Sequence, residues 1–137
     1  MGQQQLLLII VGVVVFSIAL AVGISMFVSN AVSSNRDAVT NDLVNFASRA
    51  RQYYRRPLEM SGGAGKFDGI TMKNLANTTG TTWTNPDGTY QLGTIVPGPS
   101  GSVTINGKGV EKGNDGGSSV EVNLFVTIST DSMWVVN

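Results

Sequence analysis

The sequence has no cysteine and no histidine. Without cysteine there is no disulfide framework, no thiolate nucleophile and no sulfur-ligated metal, and redox chemistry leaves the compartment open. Without histidine as well, Ser-His and Cys-His catalysis and histidine-based zinc chemistry are excluded. Most enzyme classes fall with those two residues, so the chain is read as non-enzymatic, with no catalytic residue, no cofactor and no metal site expected. A third absence is local: residues 1–35 carry no charged side chain. Over all 137 residues, nine basic and nine acidic side chains cancel, so no net field draws the chain to nucleic acid, which is not expected as a primary partner. The balance hides a split. Residues 1–66 hold six cations (Arg36, Arg49, Arg51, Arg55, Arg56, Lys66) against three anions (Asp37, Asp42, Glu59), and residues 67–137 hold three against six. Such a dipole suits head-to-tail stacking of identical copies, and it suits solvated charges placed without such a role equally well.

Within the charge-free stretch, residues 6–28 (LLLIIVGVVVFSIALAVGISMFV) form an apolar run whose only hydroxyl residues are Ser17 and Ser25. As a helix rising ~1.5 Å per residue the run covers roughly 35 Å, enough to cross a hydrocarbon core of about 30 Å with modest tilt. A cleaved secretory signal is the competing reading. It calls for a basic n-region, and residues 1–5 (MGQQQ) contain none, so the segment is expected to be retained. The pattern continues beyond the run: Val28, Val32, Val39, Leu43, Phe46, Ala50 and Tyr53 recur at helical spacing and trace one face, with Asn35 in the gap. The helix thus turns amphipathic past Val28. Its cations gather toward the C-terminal end, where the macrodipole favours them, and Pro57 ends it. A helix of some 50 residues would be about 80 Å long, more than a head of about 80 residues can cover, so half of it needs other partners. Gly12, Ser17, Ala19, Ala21, Gly23 and Ser25 permit close helix approach, and Gly12 and Gly23 are the positions of helix flexibility.

A charge-free N-terminal helix that turns amphipathic and then gives way to a Gly-rich β-domain resembles the type IV pilins and the related pseudopilins. The likeness covers residues 1–57 and is one of architecture more than of sequence. In that family the mature N-terminus is methylated, position five is usually Glu, and an aliphatic run follows. Aligned on Met1, the sequence MGQQQLLLIIVG places Gln5 at the acidic position and residues 6–11 at the aliphatic run. The family's glutamate neutralises a neighbour's N-terminal amine during assembly, whereas Gln5 offers an uncharged hydrogen bond. The basic leader and a proline near position 22 are also missing, and Gly23 stands where the proline's helix-loosening would be expected. The resemblance implies a long hydrophobic-to-amphipathic helix packed by its C-terminal half on a small antiparallel sheet, an α+β fold. It further implies that Leu6, Leu7, Ile10, Val14, Phe16, Leu20 and Phe27 pack a filament core and that Met1 and Gln5 act in assembly. The implied partners are identical subunits, the membrane before assembly, and the pilus assembly machinery. The expected route runs from the inner membrane to a filament on the cell surface.

Residues 57–137 form the expected head, following a helix over 1–56. SGGAGKF, residues 61–67, reads as a flexible connector. Gly65-Lys66 lacks the earlier glycine and the following hydroxyl residue of a phosphate loop. Residues 70–76 suit a helical turn or a strand. Residues 81–84 and 89–96 flank Asn85-Pro86-Asp87-Gly88 as a hairpin. Residues 102–106 read as a short strand, 110–118 as a polar loop, and 120–128 and 133–136 as the last strands. In VEVNLFVTI, Val120, Val122, Leu124, Val126 and Ile128 share one face.

Four other features carry two readings each. Asp87, Glu111, Asn114 and Asp115 could offer calcium ligands, but no EF-hand spacing is present and solvated turns explain them better. Trp83, Tyr90 and Trp134 could form a sugar-binding platform, with core or interface packing the preferred alternative. Tyr53 and Tyr54 beside Arg55 and Arg56 could contact phosphates or an acidic loop, though a helix end packed under a sheet needs no ligand. Asn77-Thr78-Thr79 is a glycosylation sequon at Asn77, used where the organism has the machinery, and so short a sequon also arises often by chance. The function expected is a major pilin. A bitopic membrane-anchored binding module and a secretion pseudopilin are the alternatives.

Overall fold

The computed structural model describes residues 2–113, 117–128 and 131–136. Helix α1 runs from Gly2 to Arg55 and stops where the proline requires, with Pro57 extended at φ −65° and ψ 158°. A 3-10 turn at Leu58–Met60 follows, then α2 at Met72–Ala76. Five strands complete the chain: β1 (Thr82–Thr84), β2 (Gly88–Val96), β3 (Ser102–Lys112), β4 (Ser119–Val126) and β5 (Asp131–Val135). They pair antiparallel in sequence order as a single meander.

The chain divides into two compact units, Met1–Ala31 and Val32–Asn137. In the second, one stripe of α1 is buried: Val32, Asn35, Val39, Leu43, Phe46, Ala47, Ala50 and Tyr53. It shares a core with Val103 and Ile105 of β3 and with Val120, Val122, Leu124 and Val126 of β4. Each aliphatic side chain buried there contributes about 1.5–3 kcal/mol relative to exposure. β4 alternates buried and half-buried residues along its length, as VEVNLFV predicts. The fold is therefore α+β, with the C-terminal half of the long helix packed on a five-stranded antiparallel sheet, as expected of a pilin-like architecture. Val28 does not belong to the buried stripe: it is exposed, and the covered face begins at Val32. Ile128 lies beyond the end of β4 and is largely exposed.

Two expectations are corrected. The short strand over 102–106 is eleven residues long and takes in the start of the expected loop. Its glycines are packing devices. A Cβ on Gly107 would stand 2.8 Å from Val39 Cγ1, and one on Gly109 would collide with Asn35 Oδ1, so the helix approaches the strand only because side chains are missing there. The connector over 61–67 is a hydrogen-bonded return onto the end of α1. Gly63 N–H donates to Tyr53 C=O (2.8 Å), Ala64 N–H to Arg56 C=O (2.9 Å) and Gly65 N–H to Tyr54 C=O (2.7 Å). Carbonyls that the end of α1 would leave unpaired are thereby satisfied. Gly62 and Gly63 are buried, and a Cβ on either would strike backbone, of Arg56 and Lys66 respectively. Composition alone shows the glycines and not this tight return.

Candidate functional site

Between residues 2 and 30 every side chain of α1 is exposed. Leu6, Leu7, Ile10, Val14, Phe16, Leu20 and Phe27 are between 53% and 83% exposed. They lie within one half of the helix, and Leu8, Val11, Val15, Ile18, Val22 and Met26, also exposed, fall on the other half. A helix apolar on all sides is one that lives in lipid or among other helices. By length and composition it can cross a membrane. Gly12 and Gly23 have open space where a Cβ would stand, leaving room for a close neighbour on those faces. Ser17 Oγ donates to Val13 C=O at 2.8 Å, so this hydroxyl is satisfied within the helix. Gln5 is exposed one turn from the start of α1. Met1 lies outside the described residues.

The head gives its singled-out residues other duties. Trp83 and Tyr90 join Phe46 in an aromatic cluster: Phe46–Trp83 centroids are 5.4 Å apart and edge-on, Phe46–Tyr90 5.3 Å, and Trp83–Tyr90 5.4 Å. These two rings thus brace sheet against helix, while Trp134 on β5 is nearly half exposed and belongs to no such cluster. Tyr53 and Tyr54 anchor loops through their hydroxyls, donating to Asp68 C=O (2.8 Å) and Pro99 C=O (2.9 Å). Asp87 and Glu111 are exposed, and their main chains meet at Asn35, whose Nδ2 donates to Asp87 C=O (2.8 Å) and whose Oδ1 accepts from Glu111 N–H (3.2 Å). Asn114 and Asp115 lie outside the described residues. Among those described, no group of three or more Asp or Glu is placed to hold a metal ion. Asn77 closes α2 in a left-handed conformation at φ 54° and is exposed.

One polar centre escaped the sequence reading. Asp42 faces the core side of α1, where its Oδ2 accepts from Tyr90 Oη and from Asn85 Nδ2, each at 2.7 Å. Asn85 Oδ1 in turn accepts from the main-chain N–H of Asp87 (3.0 Å) and Gly88 (2.8 Å), so the carboxylate fixes the β1–β2 turn onto the helix. Burial, then the bond to Asp42 and the negative charges of Asp42 and Asp87, hold the Tyr90 phenol well above its ordinary pKa. Tyr53 is raised too, by burial first and then by the charge of Asp68. The centre is half-buried and ties helix to turn, a structural role. Asp42 fell on the polar side of the inferred stripe, and only the turn brought to it reveals its role.

Set against protein families, curated proteins and solved structures, the chain finds no match in any of the three. What the geometry defines is a class: a β-rich head built on the second half of a helix whose first half is apolar, exposed and long enough to span a bilayer.

Proposed function

We propose that the chain is a structural subunit of a type IV pilus-like filament, held in the inner membrane by α1 and then drawn into a surface homopolymer. The observation that carries this reading is the exposure of Leu6, Leu7, Ile10, Val14, Phe16, Leu20 and Phe27 on a helix without a charge before Arg36. Such a surface requires an apolar environment on every side. Acyl chains supply it before assembly, and the same helices from identical subunits supply it afterwards. In that polymer Gly12 and Gly23 let neighbouring helices approach, Gln5 makes a neutral hydrogen bond near a neighbour's N-terminus, and the heads tile the exterior. A major pilin accounts for this arrangement better than a tethered binding module, since a lone anchor leaves the close-approach faces at Gly12 and Gly23 without a role.

Electron microscopy of surface material sheared from cells, with mass spectrometry of the filament protein, tests the proposal. The expected result is a filament composed of this chain, with the intact mass reporting whether its first residue is methylated and whether Asn77 carries a glycan. A chain found only as a monomer in the membrane fraction would overturn the polymer and leave the anchored module. Its recovery in a short periplasmic pseudopilus alone would assign it to a secretion machine.

A further inference from the structure

Beyond assembly, the head contains a hollow of about 470 Å³ between the last turns of α1, the start of the connector and α2. Its lining brings together three cations, Arg49, Arg56 and Lys73, and includes no carboxylate. The helix dipole explains why arginines gather at the end of α1. Lys73 comes from a separate element, α2, and converges on the same space. Three like charges around one hollow repel one another, a cost that a bound anion would reverse.

The neutral groups of the hollow point to the same chemistry. Arg and Lys carry donors and no acceptor. Asn74 Oδ1 is already occupied by Thr71 N–H (2.9 Å) and Thr71 Oγ1 (2.8 Å), which leaves the Asn74 NH2 to donate. The Tyr53 hydroxyl is turned to Asp68 C=O, so that residue offers the hollow its ring. Arg49 donates to Leu75 C=O, which ties α1 to α2 and fixes the width of the opening. The result is a space lined by three cations and the amide donor of Asn74, without a carboxylate, with Gln52, Ser61 and Asn77 as its remaining polar groups.

We propose that this hollow binds a tetrahedral oxyanion of the phosphate class, held by Arg56 and Lys73 with Arg49 and the Asn74 NH2 completing the shell. A dianion matches three cations better than a single carboxylate does, and the planar guanidinium fork fits two oxygens of one tetrahedral group. Lys73 also borders a second hollow of about 480 Å³, lined by Ile70, Met72, Leu92 and the Thr78–Thr81 loop. The oxyanion is therefore either free or the terminal group of a small monoester whose carbon skeleton lies along those residues.

Isothermal titration of the full chain in non-ionic detergent, with inorganic phosphate in one arm and glucose 1-phosphate in the other, tests this. Saturable one-site binding is expected, weakened about tenfold or more by Arg56→Gln and by Lys73→Gln, which corresponds to about 1.4 kcal/mol each. Lys108→Gln on β3 removes an equal charge away from the hollow and should leave affinity unchanged. Both hollow substitutions are at exposed positions, and unchanged melting temperatures would exclude misfolding as the cause. Tighter binding of glucose 1-phosphate, lost in Thr81→Val, identifies a monoester, whereas equal affinities identify the free anion. The site is refuted by no saturable binding of either probe up to about 10 mM, where only some 3 kcal/mol of affinity would remain. Equal weakening by Lys108→Gln refutes it too, since that would mean a diffuse charge effect.

Discussion

At the scale of single residues, the contact between Asp42 and Tyr90 is where chemistry and stability meet. Tyr90→Phe keeps the ring and its packing on Phe46 and Trp83 while leaving Asp42 with Asn85 as its side-chain donor. A hydrogen bond to a charged group is worth roughly 1.5–3 kcal/mol, so with Asp42 half-buried a loss of about 2 kcal/mol is expected. Urea titration at neutral pH checks this, and a change under half that size would mean that water replaces the hydroxyl. The pH dependence has a definite sign. The Tyr90 phenol titrates higher in the folded chain than in the unfolded one, so folding favours its protonated form. That contribution is complete below the unfolded phenol value of about 10 and is lost as pH rises above it. The wild type should therefore weaken in urea beyond about pH 10, and Tyr90→Phe should weaken less steeply, with Tyr53 supplying the remaining slope. Gly63 makes a second residue-scale case. Any Cβ there meets Lys66 C=O and lies 2.9 Å from Tyr53 Cε1, so Gly63→Ala must move the return that pairs the carbonyls of α1. A loss of about 2–3 kcal/mol is expected by thermal melting, in the range of overpacked sites.

At the scale of elements, α1 carries two different tasks along one continuous helix. Its second half is a core element, and its first half is an apolar surface without internal partners. Val14→Asp addresses the first half alone. A carboxylate at the centre of a membrane helix costs about 2.5–3.5 kcal/mol by insertion scales, and in a bundle of identical helices the charge recurs in every subunit. Filament yield should fall to the detection limit in sheared fractions while the urea midpoint of the head stays at the wild-type value. Filaments of normal yield would mean that α1 does not form the core of the polymer. The same element shows what a sequence makes visible. The helix end at Pro57, the stripe through Val39, Leu43, Phe46 and Tyr53, and the alternation of β4 were all legible, because periodicity and proline act locally. β3 was not legible beyond Asn106, since Gly107, Lys108 and Gly109 have turn-like composition. Those glycines serve the approach of Val39 and Asn35, contacts some 70 residues distant along the chain. Asn35 itself read as a gap in the stripe and is instead the polar tie between helix and sheet. The return of the connector was missed, and of the cationic hollow only Tyr53 and Arg56 read as phosphate contacts, for the same reason: Lys73 joins them and Arg49 only in the tertiary fold.

At the scale of the whole molecule, the division at Ala31 and Val32 separates the unit that holds the hydrophobic core from the exposed apolar stretch of α1. Every residue of the hydrophobic core lies at or beyond Val32, so a chain of residues 32–137 retains the buried stripe, the Asp42 centre and all five strands. What it loses is exposed helix, whose removal opens no cavity in the core and leaves the N–H groups of residues 32–35 as the new first turn of the helix. That fragment should be a soluble monomer that melts cooperatively, with a midpoint matching that of the head in the full chain, while the full chain requires detergent and polymerises when it is withdrawn. Sedimentation velocity and far-ultraviolet circular dichroism on both forms measure this directly. Two results would be damaging in different ways. A fragment without a cooperative transition would show that residues 2–31 help fold the head, contrary to the position of the core. A fragment that folds and still forms filaments would place the assembly contacts in the head, and the apolar half of α1 would then serve as an anchor and nothing more.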